Sequence, residues 1–130
     1  MKYPSLKKVT SLLLVVLISL VLTRVYSASL NYIFGSNSEM TQRIINDPWH
    51  HYHIGLLLFV LAFLFRKKAK SLILTAVGLG IILEEWPVVL NDLGFNTLNM
   101  YHTKVDFLVV ILIVGAIYLS LSRFVVNRNE

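Results

Sequence analysis

A chain of 130 residues, 56% of them hydrophobic and 15% charged, is long enough for one domain and too apolar for an ordinary water-soluble one. The absence of cysteine excludes a disulfide framework, a thiolate metal site and a cysteine nucleophile. The formal net charge of +5 does not point to nucleic acid, because the basic residues flank apolar runs instead of gathering on one solvent-facing surface.

A helix needs about 20 residues to cross the hydrocarbon of a bilayer. On that measure residues 1–130 read as one all-α integral membrane domain, a bundle of four transmembrane helices. The first span runs over 9–34 and carries Arg24. Its flanking Lys2, Lys7 and Lys8, and the later Ser27-Ala28-Ser29, also have the shape of a secretory signal. Arg24 and the apolar Leu30–Phe34 stretch beyond it favour a retained helix. Gly35 to Asp47 reads as an outer loop with at most one surface turn around Met40 to Ile45. Asp47-Pro48 is a helix start signal, opening a second span over 48–65 that stops against Arg66-Lys67-Lys68. The third span, 71–90, holds Glu84 and Glu85 and is expected to kink at Pro87, where the ring removes a backbone hydrogen bond. Asn91 to Asn96 reads as a helix end and a turn. The fourth span covers 102–122.

Four crossings place Lys2, Lys7, Lys8, Arg66, Lys67, Lys68, Lys70, Arg123 and Arg128 on one side. That side is expected to be cytoplasmic and to hold both termini, in what is expected to be the cell membrane. All four histidines, and every acidic residue except Glu130, fall on the other. Trp49, Tyr52, Trp86 and Tyr101 lie near the outer ends of their spans, at headgroup level.

Ionisable groups within a span cost about 2.5–3.5 kcal/mol each on insertion scales, so Glu84 and Glu85 demand a partner or a polar cavity. Ala76, Gly80 and Glu84 share one helical face at four-residue spacing, and Gly78, Glu85 and Asp92 follow a second at seven. Small residues mark packing faces in lipid, so Glu84 is expected to point into the bundle. His51 shares a face with Gly55 and Ala62, and His102 and Asp106 stack at a four-residue interval if the fourth helix starts by Met100. Imidazole and carboxylate are ligands for Fe, Zn, Cu and Mn. The expected site is therefore a transition-metal centre of His51, Glu84, His102 and Asp106, supported by His50 and Glu85.

The run His50-His51-Tyr52-His53 resembles part of one histidine box of the membrane desaturases and hydroxylases. That family carries several such boxes, whereas this sequence has four histidines in all. No H-E-x-x-H pair and no Glu-x-x-His repeat is present. Redox or hydrolytic chemistry and metal delivery to a partner are all compatible with the cluster, and the sequence does not decide whether the chain is an enzyme. Two other readings stay open. Glu84 and Glu85 at a proline kink suit a proton or ion translocation component, and the small-residue faces suit an accessory subunit packed against other membrane subunits or a second copy. In the plainest case Arg24, at about the same depth as Glu84, simply pairs with it.

Overall fold

The computed structural model describes residues 5–35, 38–39, 49–68 and 70–126. The expected Asp47-Pro48 start signal and the turn at Met40 to Ile45 lie outside them. Helix α1, Leu6–Phe34, is 29 residues long. Six of its hydroxyl side chains donate to the carbonyl four residues back, among them Ser19 to Val15 at 2.8 Å, Thr23 to Ser19 at 2.8 Å and Ser29 to Val25 at 2.6 Å. Each hydroxyl is thereby satisfied within the helix, which lets polar residues sit on an apolar rod. Gly35, at φ +75°, ends it in the left-handed conformation that glycine adopts without penalty.

Helix α2, His51–Leu64, has 14 residues and spans about 21 Å. A turn over 65–68 leads to α3, Lys70–Glu84, whose Ser71 hydroxyl donates to the Ala62 carbonyl at 2.7 Å and closes the hairpin. The two helices meet backbone to backbone. A Cβ at Gly55 would stand 2.8 Å from the Gly78 carbonyl oxygen, and one at Gly78 the same distance from that of Gly55. On the next face of α3, a Cβ at Gly80 would collide with the Val16 carbonyl of α1 and come within 2.8 Å of Ser19 Cβ. The two small-residue faces read from the sequence thus serve two different neighbours.

The segment expected as the third span is not one rod. It breaks at Glu85 and bends by 74° into α4, Trp86–Asp92, with Pro87 in the first turn. The proline kink was expected; a bend this large turns the remaining residues out of the line of α3. Gly94 at φ +98° ends α4, and a 3-10 turn at Leu98–Met100 leads to α5, Lys104–Val126. Helix α5 runs antiparallel to α1. Val110 joins Val16 and Leu20 in one buried cluster, and Val125 joins Val9 and Leu13 in another.

α1 and α5 are long and apolar enough to cross a membrane, and the bent pair α3 and α4 qualifies if counted as one span. α2 is a shorter apolar helix. Large hydrophobic side chains point outward throughout, with Leu22 64%, Val60 56% and Leu112 70% exposed. Such surfaces are costly in water and suit lipid.

Candidate metal centre

The break in α3 splits its two carboxylates between different neighbours. Glu84, the last residue of α3, turns toward α1 and the segment before α5. Glu85, in the break itself, turns toward the start of α2. Glu84 and Asp106 are fully buried and Glu85 is 5% exposed.

Glu85 sits where the free amide groups of α2 begin. Its Oε2 accepts from the Tyr52 amide at 2.8 Å, and its Oε1 lies 3.3 Å from His51 Nδ1. A carboxylate at a helix N-terminus satisfies orphan donors and complements the positive end of the helix dipole. Tyr52 closes this corner through its hydroxyl, which donates to Asp92 at 2.6 Å.

Asp106 is committed on both oxygens. Oδ1 accepts from the Trp86 indole at 2.7 Å, while Oδ2 takes the Arg24 guanidinium at 2.7 Å and the His102 amide at 2.9 Å. Arg24 reaches on from Asp106, with Nε 3.6 Å from Glu84 Oε1 and Nη2 3.4 Å from the Glu84 carbonyl. The pairing of Arg24 with Glu84 is therefore present, but its shorter contact is to Asp106.

Glu84 Oε1 also accepts from the Tyr101 hydroxyl at 3.0 Å and faces His102 Nε2 at 3.5 Å. Burial, and then the charges of Glu84 and Glu85, push the Tyr101 hydroxyl above its ordinary pKa, so it stays protonated as a donor. Glu84 Oε2 is different: it is buried with no hydrogen-bond partner. His51 Nδ1 is also buried without a well-formed hydrogen bond, its nearest acceptor being Glu85 Oε1 at 3.3 Å. Ligand atoms of His51, Glu84 and Glu85 all fall within 4.8 Å of one another. Two ligands sharing one ion at about 2.1 Å are no more than about 4.2 Å apart, so modest side-chain rotations suffice.

The six residues named from the sequence thus separate. His51, Glu84 and Glu85 converge, and His102 stands at the edge of Glu84 with a third of its side chain exposed. Asp106 lies across Arg24, engaged by three donors. His50 is not part of the converging group, and its ring stacks 5.9 Å from that of Tyr52 and 6.2 Å from that of His53. The expected helical stack of His102 over Asp106 is corrected. α5 begins at Lys104, and His102 precedes it at φ +60°. The Asp106 carboxylate takes the His102 amide while the Thr103 hydroxyl accepts the Asp106 amide at 3.3 Å, and these local bonds start the helix late.

Trp86, Tyr101 and Tyr52 belong to the network as donors, a role their reading as interfacial aromatics missed. The available signal was their depth, level with buried carboxylates that need donors. Comparison with known families, with curated proteins and with solved structures finds no match.

Proposed function

We propose that this chain is a four-span membrane protein, both termini cytoplasmic, that holds a divalent transition-metal ion at its outward end through His51, Glu84 and Glu85. Charge balance carries the reading. Three buried carboxylates, Glu84, Glu85 and Asp106, face one guanidinium, that of Arg24. With Glu84 and Glu85 both ionised, and with His51 and His102 beside them at 3.3 Å and 3.5 Å neutral, as an imidazole that binds metal must be, two negative charges are left over in a setting where an unpaired charge costs several kcal/mol. A divalent cation beside Glu84 Oε2 and His51 Nδ1 would neutralise both and use the two buried ligand atoms that make no hydrogen bond.

In this reading the imidazole and carboxylate set suits Zn, Fe, Mn or Cu. Bound there, the ion would polarise an oxygen for hydrolysis, exchange an electron, or be handed to a partner. The chain's own residues do the rest. Glu85 fixes the start of α2 and so the place of His51. Arg24 and Tyr101 hold Glu84 Oε1, leaving Oε2 to the ion. Asp106 and Trp86 orient Arg24, and His102 lies between Glu84 and the aqueous side.

The test is elemental analysis of the untagged, detergent-purified chain beside Glu84→Gln and His51→Ala. The expected result is near-stoichiometric metal in the parent and at least a tenfold loss in each variant, with helicity retained. No metal in the parent after incubation with all four ions, together with a rise in stability for Glu84→Gln, would overturn the proposal. It would identify the surplus carboxylate as a proton carrier or a structural residue.

A further inference from the structure

The end of the bundle opposite this site is as one-sided in charge as the site itself. α1 and α3 run parallel, since Gly80 lies against Val16 to Leu20 and Arg24 reaches the Glu84 carbonyl. Lys70 therefore falls level with the start of α1. The Val125 contact with Val9 and Leu13 brings the end of α5 to the same level. Lys7, Lys8, Lys67, Lys68, Lys70 and Arg123 share this end, all exposed. Among the described residues every carboxylate belongs to the other end, where Arg24, His51 and His102 pair with Glu84, Glu85 and Asp106.

Two of the cations here are held over exposed aromatic rings. The Arg66 guanidinium lies 5.1 Å from the centre of the Phe63 ring, and the Lys68 ammonium 5.2 Å from that of Phe65. Phe63 is 66% exposed and continues the apolar outer surface of α2. The positive charge thus forms a rim where an apolar wall stops, and is not spread over a water-facing face. A polyanion approaching from water would meet only the top of that rim. A phospholipid lying against α2 would set its acyl chains on Phe63 and Leu64 and its phosphate among the cations.

We infer that this end is a docking surface for anionic phospholipid headgroups, selecting them over zwitterionic ones in the surrounding bilayer. The inference is independent of any metal at the other end. Attraction of about 1 kcal/mol per basic residue near the surface is a factor of about five in affinity for each.

Native mass spectrometry of the full chain tests this, counting retained phosphatidylglycerol against phosphatidylcholine of identical acyl chains. The expected result is preferential retention of phosphatidylglycerol. Lys67→Gln with Lys68→Gln should lower that preference by a factor of about 25 at low salt, from two fivefold losses. Leu112→Ala, on the outer face of α5 away from the rim, should leave it unchanged. Equal retention of the two lipids, or a preference that survives the double substitution, would overturn the inference. So would complete displacement of phosphatidylglycerol by inorganic phosphate, which would make the ligand a free anion.

Discussion

The seam between α2, α3 and α1 and the layer above it hold the same helices together by opposite means. In the seam, Gly55, Gly78 and Gly80 bring backbones into contact, and any added side-chain atom meets a carbonyl. In the layer above, Arg24, Glu84, Glu85 and Asp106 hold four segments through charge and hydrogen bonds. Fit in the seam is steric, as it must be in a bilayer, where lipid tails would offer no hydrophobic drive for one apolar helix to leave them for another. Fit in the polar layer is a matter of counting donors against acceptors, and the count leaves three atoms without a hydrogen bond: Glu84 Oε2, His51 Nδ1 and Arg24 Nε. Each such atom, buried and unpaired, costs stability, and that cost is what the proposed metal would relieve at Glu84 and His51.

Arg24→Met should have the largest effect. It removes the guanidinium between two buried carboxylates, and breaking a buried pair from one side costs about 3–5 kcal/mol. The measurement is unfolding in mixed micelles against a double-mutant cycle with Asp106→Asn. Coupling of about 0.5–3 kcal/mol is expected between the two sites. Additive losses would mean that the layer is not a unit and would erase the contrast with the seam.

Gly80→Ala should come next, at about 1–3 kcal/mol, because its Cβ would meet the Val16 backbone, which cannot swing aside as a long side chain can. If the proposed metal is bound, its content in the protein that remains folded should be unchanged. Loss of metal in step with stability would show that the steric seam also sets the ligand geometry.

The seam was legible in the sequence, and the polar layer only in part. Small residues at 76, 80, 55 and 78 announce close approach whatever the helix order. Equal depth along α1 and α3 brings Arg24 near Glu84 by arithmetic alone. What periodicity cannot supply is which helix stands beside which. The preference of Arg24 for Asp106 therefore appears only once α5 is placed against α1. The backbone supplied the other departures. Glu85 falls in the break and captures the first amides of α2, so it turns from Glu84 instead of stacking beside it. His102 takes a positive φ ahead of α5, which removes the helical His–Asp pair that its spacing implied. Trp86 and Tyr101 have both an apolar body and a polar tip, and composition cannot tell which end decides their position.

The smallest effect should be that of Gly115→Ala, and its sign carries information about partners. Gly115 lies in the middle of α5, yet a Cβ there would meet nothing within 4 Å, unlike its counterparts in the seam. A glycine in a helix interior is worse than alanine by roughly 0.5–1 kcal/mol, so substitution in an isolated bundle should stabilise by about that amount. Unfolding of the purified chain reads the sign directly. Destabilisation, together with loss of a crosslinked dimer or larger complex in native membranes, would mean that α5 presents its glycine to another helix. The steric rule of the seam would then extend to a second copy or a partner subunit. Stabilisation without change in assembly would leave α5 bordered by lipid and held to the bundle by Asp106, Val110 and Val125.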